Sequence, residues 1–175
     1  MEYRSLSKNT EDLLNAQVAM EAKASFIYLG MASWCERNGF EHSAQFFYEQ
    51  SDEERQHMLK IFTYINEVGG NAVSPTVQDV PQSYDSLKSL CQAFLGHEVE
   101  VTQSINKLMS HCYQESDFIT INFLQWFVTE QREEEMTARR ILDFFEVAGN
   151  DGVALYMIDK SIGDLANGGG ADSGN

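Results

Sequence analysis

The chain contains only two prolines, Pro75 and Pro81, and both fall in one short stretch. Proline removes a backbone donor and clashes with the preceding turn of a helix. Confining it to one place leaves long segments on either side free to be helical. Stop and start signals then divide the chain into four long helices and one short one. The first runs from about Ser7 to Arg37 and ends at Asn38-Gly39. The second runs from about Glu41 to Val68 and ends at Gly69-Gly70. The third covers about Asp85 to Tyr113. The fourth covers about Asp117 to Ala148, with Ser116 as its expected N-cap and Gly149 after its end. A short fifth helix covers about Gly152 to Ile162. Residues 1–166 read as one domain, and 167–175 as a disordered tail.

The connections fix the topology. The first and second helices are joined by a few residues, as are the third and fourth, so each pair is an antiparallel hairpin. The stretch from Asn71 to Tyr84 is different, because it holds both prolines and shows no helical period. About fourteen extended residues reach roughly 45 Å, and a helix of about 28 residues is about 42 Å long. The linker can cross the whole bundle and leave the second and third helices parallel. The predicted fold is therefore all-α: a four-helix bundle with one long crossover and a short C-terminal helix.

Steps of three and four trace the packed face of each helix. They give Leu14, Val18, Glu21, Ser25, Tyr28, Ala32 and Cys35 on the first helix. On the second they give Phe47, Ser51, Glu54, Met58, Ile61, Ile65 and Val68. The third presents Leu87, Cys91, Phe94, Glu98, Val101, Ile105, Leu108 and Cys112. The fourth presents Leu124, Phe127, Gln131, Glu134, Ala138, Ile141 and Phe145. Each stripe is broken near its middle by a carboxylate, and in an up-down bundle the middles meet at one level. Glu21, Glu54, Glu98 and Glu134 should converge, with His57 one turn beyond Glu54 pointing into the same cluster.

Four buried carboxylates without cations would repel one another and be driven to protonate. A pair of divalent metals removes the conflict. Oxygen ligands with one imidazole suit iron or manganese better than structural zinc, which prefers nitrogen and sulfur. The competing reading is that these acids lie on solvated faces. Four central interruptions on four helices, together with Glu54-x-x-His57, speak against it. The usual di-iron carboxylate arrangement has Glu-x-x-His on two helices. Here the fourth helix reads Glu130-Gln131-Arg132-Glu133-Glu134, without histidine, so the expected site is asymmetric.

The formal charge of −15 argues against binding nucleic acid through its phosphates or docking on an anionic membrane. It suits cations, and it also suits plain solubility. The cysteines Cys35, Cys91 and Cys112 have no C-x-x-C spacing and read as reduced core thiols. MEYRSLSKNTEDLL lacks an apolar signal region and no window is long enough to span a membrane, so a soluble cytoplasmic protein is expected.

From about Leu6 to Ile162 the sequence resembles the bacterial non-haem ferritins. The resemblance is carried by Glu21 with Tyr28, SDEERQHM around Glu54 and His57, HEVE around Glu98, INFLQWFVTEQREEE, and LYMIDK in the last helix. It implies a first iron held by Glu21, Glu54 and His57. It implies a second iron bridged by Glu54 and held by Glu98 and Glu134, with Gln131 close by. Glu53, Glu130 and Glu133, with Glu134, match a third iron position. Tyr28 matches a tyrosine near the site, a core tyrosine being the alternative, and Trp126 reads as packing. His42, His97 and His111 match no ligand position.

Two departures are informative. Bacterioferritins carry a second Glu-x-x-His and a haem-ligating methionine, whereas this chain has Arg55 at the corresponding place, so no haem is expected. Rubrerythrins need the second histidine motif and a cysteine-bound iron, both missing here. The resemblance implies iron storage and detoxification: Fe(II) oxidised by O2 or peroxide, and ferric mineral deposited inside a homo-oligomeric cage of 24 subunits. The last helix would pack on symmetry mates. Two other readings stay open from sequence: a soluble di-iron or dimanganese oxygenase or catalase, and a metal-free helical interaction protein.

Overall fold

The computed structural model describes residues 6–168. Among them five helices form: α1 (Lys8–Arg37), α2 (Glu41–Glu67), α3 (Leu87–Glu115), α4 (Phe118–Ala148) and α5 (Gly152–Gly168). Helix α1 packs on α2 and α3, α3 packs on α4, and α5 packs on α2 and α4. This is the expected ferritin-like four-helix bundle with a short C-terminal helix.

Each boundary has a local cause. Ser7 caps α1 by accepting from the Thr10 N–H at 3.1 Å. Gly39, at φ 81°, lets the chain turn back after α1, a conformation that costs glycine little. Ser86 and Ser89 form a reciprocal capping box at the start of α3. This places the start at Leu87 rather than at Asp85. The expected cap at Ser116 is corrected. Ser116 adopts the left-handed conformation (φ 57°) that ends α3. Asp117 caps α4 instead, because its carboxylate accepts from the Thr120 N–H at 3.0 Å and from the Thr120 hydroxyl at 2.6 Å.

The linker between α2 and α3 does cross the bundle, and it does so along α1. Near the start of α1, the Asn71 N–H reaches Glu11 at 3.1 Å and the Val73 N–H reaches Asn15 at 2.8 Å. Further along, the Pro81 carbonyl lies 2.8 Å from where a Cβ on Gly30 would stand. At the far end Tyr84 packs edge-on against Trp34, and Arg37 donates to the Gln82 carbonyl at 3.0 Å. Only a residue without a side chain at 30 admits this close approach.

Helix α5 is longer than the expected Gly152–Ile162. Gly163 does not end it, because that position lies against His42, 2.8 Å from the Cβ a larger residue would add. Leu165 and Ala166 then continue the helix onto the core. The expected tail from 167 onward otherwise lies outside the described residues. Helix α5 also supplies what α2 lacks. Phe40 stands at the N-cap of α2 and offers no side-chain acceptor. Asp159, only 4% exposed, accepts from the Ser43 N–H at 2.8 Å, the Ser43 hydroxyl at 2.7 Å and the His42 N–H at 3.3 Å. A carboxylate on a helix N-terminus also meets the positive end of its dipole.

The interior is two apolar clusters. One gathers Tyr28, Phe46, Phe47, Phe94, Ile141, Phe145 and the α5 residues Ile158 and Ile162. The other gathers Leu14, Val18, Ile61, Ile65, Val101, Ile105, Leu124 and Phe127. Between them the stripes are polar. Cys35, Cys91 and Cys112 are free and buried, as expected. Among the described residues no helix is long and apolar enough to cross a membrane.

Asp159→Ala should destabilise the chain by about 1–2 kcal/mol, as for loss of a helix cap, with the loss concentrated in α5. Hydrogen exchange should show faster exchange in α5 and at His42–Ser43; unchanged protection there would show that Asp159 does not hold the helix.

Candidate metal centre

The four acids the stripes predicted do meet. Glu21 of α1, Glu54 of α2, Glu98 of α3 and Glu134 of α4 are all buried at the junction of the two clusters. The ligand atoms of Glu21, Glu54 and His57 lie within 4.8 Å of one another, and His57 Nδ1 is 3.5 Å from Glu54 Oε2. Glu21 Oε2, Glu54 Oε2 and His57 Nδ1 are buried with no hydrogen-bond partner. Orphaned buried lone pairs are rare and costly, and three from one cluster fit a cation.

Neighbours orient the other oxygens. Gln17, one turn before Glu21, donates to Glu21 Oε1 at 2.8 Å, and its own carbonyl accepts from Ser104 at 2.6 Å. Glu98 is held from both sides. Tyr28 donates to its Oε1, and Gln131 donates to its Oε2 at 3.1 Å and to its backbone carbonyl at 3.2 Å. Tyr28 is thus fully buried within the core and also bonded to the site.

The titration of the cluster follows from burial without a counter-charge. Burial, then the charges of Glu21 and Glu98, holds the Glu54 carboxyl well above its ordinary range. Burial, then Glu98 and Glu53, does the same to Glu134. Burial raises Glu21 too, opposed by its close approach to Glu54 and by the bond from Gln17. Glu98 is pushed up to about 7 by burial, opposed by Tyr28 and Gln131. His57 is pushed down to about 4 by burial and then by Lys60, which leaves a neutral imidazole able to ligate.

A second group shares the same histidine. Ligand atoms of Glu53, His57 and Glu130 also lie within 4.8 Å of one another. Glu133 is not drawn into either close cluster. It is exposed and pairs with Arg132 at 3.3 Å, although it borders the same cavity as Glu53, Glu130 and Glu134.

Several participants were not legible as such. Trp126, read from sequence as packing, packs edge-on against His57 at 5.2 Å between centroids; it is 39% exposed and carries Lys60 over its ring at 4.4 Å. His97 places Nδ1 3.3 Å from the Tyr28 hydroxyl. Gln17 was the one with a signal, being one turn from Glu21 on the same face. His42 and His111 stay away from the site, His42 beside Asp159 and His111 beside Glu115.

A fold and a carboxylate layer of this kind define a ferritin-like helical bundle. The sequence model of the ferritin-like domain matches residues 11–146. The chain belongs to the ferritin family. It is 42% identical, over 92% of its length and 98% of the relative's, to a probable bacterial non-heme ferritin-like protein of Haemophilus influenzae. It is 37% identical, over 92% of its length and 96% of the relative's, to the bacterial non-heme ferritin of Campylobacter jejuni. Among solved structures it is similar to an open pore ferritin from the archaeon Archaeoglobus fulgidus. That comparison gives 35% identity and a TM-score of 0.88 over 91% of this chain and 98% of that one.

An acid whose folded pKa lies above its unfolded value stabilises the fold fully below the unfolded value and loses that contribution as pH rises through the folded one. For Glu98 the window runs from about 4.5 to about 7. In metal-free protein the natural chain should therefore lose roughly 1–3 kcal/mol relative to Glu98→Gln between pH 5 and pH 8. Urea unfolding of both with chelator present measures it. A difference that stays flat across that range contradicts the assignment.

Proposed function

We propose that the polar layer is a ferroxidase centre serving an iron store, with Fe(II) as substrate and ferric mineral as product. The observation that carries this is the set of three orphaned buried atoms, on Glu21, Glu54 and His57, inside a layer to which all four helices contribute an acid. The bacterial non-heme ferritins to which the chain is similar support the same reading.

Glu21, Glu54 and His57 would take the first Fe(II). Glu54 would bridge to a second, held by Glu98 and Glu134, with Gln131 and Tyr28 fixing the Glu98 carboxylate. Iron displaces the protons that burial keeps on these acids, so loading releases protons and tightens as pH rises. Two Fe(II) give up two electrons and become two Fe(III). The electrons and two protons convert O2 to hydrogen peroxide, or hydrogen peroxide to two waters. The carboxylates stabilise the added charge on the product.

His57 also faces Glu53 and Glu130, which with Glu133 and Glu134 would form a third iron position beside the pair. A ligand shared between the two groups suits iron that moves on after oxidation better than a fixed cofactor. The outward residues Val153, Tyr156 and Met157 of α5 are large, apolar and exposed on the single chain. They suit burial against further copies in a cage of 24 subunits, working in the cytoplasm.

Glu54→Ala combined with His57→Ala should slow the fast phase of aerobic Fe(II) oxidation, followed by absorbance, by more than about 10–100-fold, the loss typical for removing only an outer-shell partner of a ligand. A fast phase of natural rate and amplitude would remove the centre from this position.

A further inference from the structure

Two serines interrupt the apolar stripes without belonging to the metal layer. Ser25 stands one turn after Glu21 on α1, and Ser51 one turn before Glu54 on α2. The two helices are antiparallel, so both serines lie on the same side of the layer, and there they meet. The Ser25 hydroxyl donates to the Ser51 carbonyl at 2.7 Å, and the Ser51 hydroxyl donates to the Ser25 carbonyl at 2.7 Å. Each carbonyl has a second lone pair for this while it serves its own helix. A serine or threonine within a helix can satisfy its hydroxyl on a carbonyl of its own preceding turn, as Thr63 does on Leu59 at 2.9 Å. Both hydroxyls here cross between helices instead, so the need to satisfy a buried hydroxyl does not by itself account for the pair.

We propose that Ser25 and Ser51 are positioning residues for the first metal position: a reciprocal clamp that fixes how far α1 stands from α2 beside Glu21, Glu54 and His57. That position takes one ligand from α1 and two from α2, so its bite is set by the spacing and register of these two helices. Apolar burial is non-directional. Two hydrogen bonds running in opposite senses are directional, and together they fix spacing, register and rotation. The need is greatest without metal. Ionised Glu21 and Glu54 repel each other across the same gap, and the clamp one turn away holds the helices against that repulsion. Ligands kept within about 0.5 Å of their loaded geometry take up an ion with little rearrangement. The serines act through the backbone that carries the ligands, not by ligating the ion. The inference rests on the ferroxidase reading only in naming iron as the natural ion.

The test is anaerobic Co(II) titration of the assembled protein, which needs no turnover. The first-position ion is the one lost in His57→Ala. Its affinity should fall about tenfold or more in Ser25→Ala and in Ser51→Ala, as for other groups that orient a ligand without touching the metal. Ser51→Thr and Ser51→Val isolate the hydroxyl, because the two side chains have nearly the same shape and differ in that group. Ser51→Thr should keep the natural affinity, and Ser51→Val should lose as much as Ser51→Ala. Thermal unfolding of each metal-free variant separates this from a merely structural role. A lower melting temperature with unchanged Co(II) affinity overturns the proposal, and so does equal affinity in Ser51→Thr and Ser51→Val. A natural chain that binds no Co(II) at this position removes the metal centre, and the clamp with it. First-position binding that follows the hydroxyl, in a protein that does not oxidise Fe(II), supports the clamp while removing the ferroxidase reading, so the two can fail separately.

Discussion

Four carboxylates from four helices share a buried layer with one neutral imidazole, and among the described residues no lysine or arginine pairs with any of them. The rest of the structure depends on that arrangement. It divides the core into two apolar clusters where a bundle of this length could have had one. It keeps protons on acids that water would leave ionised: Glu98 is pushed up to about 7, and Glu54 and Glu134 are held well above their ordinary range. A divalent cation resolves the conflict by supplying charge and by occupying the lone pairs of Glu21, Glu54 and His57 that no protein donor reaches.

The two apolar clusters supply the stability the polar layer gives up, and the connections set its geometry. The crossover runs along α1 and makes α2 parallel to α3, which brings Glu54 and Glu98 to one level. It can run so close only because Gly30 leaves room for the Pro81 carbonyl. Helix α5 anchors the other end by capping α2 with Asp159. Through that cap the last helix touches the element that carries both Glu54 and His57, and Leu165 and Ala166 border the cavity lined by Glu53, Glu130, Glu133 and Glu134.

The bundle and the four acids were legible because a 3.6-residue period and the mid-helix position of each acid are properties of a single helix. Turn chemistry was less so. Ser116 and Asp117 are both competent caps, and only the left-handed backbone at 116 decides between them. Helix α5 ran past Gly163 because a tertiary contact with His42 gave that glycine a packing role that no local rule shows. The same limit hid the contacts of His97 with Tyr28 and of Trp126 with His57, since both partners lie on other helices. Glu133 was placed with its neighbours by resemblance; it borders one cavity with Glu53, Glu130 and Glu134 while its carboxylate also pairs with Arg132.

The account stands on metal being what makes this interior tolerable, so the most direct measurement is thermal unfolding of the natural chain with and without anaerobic Fe(II). An ion that binds only the folded state at a hundred times its dissociation constant stabilises by about 2.7 kcal/mol. The melting temperature should rise by several degrees, and the rise should disappear in the Glu54→Ala, His57→Ala variant. A natural chain that melts at the same temperature with and without Fe(II) would contradict the account.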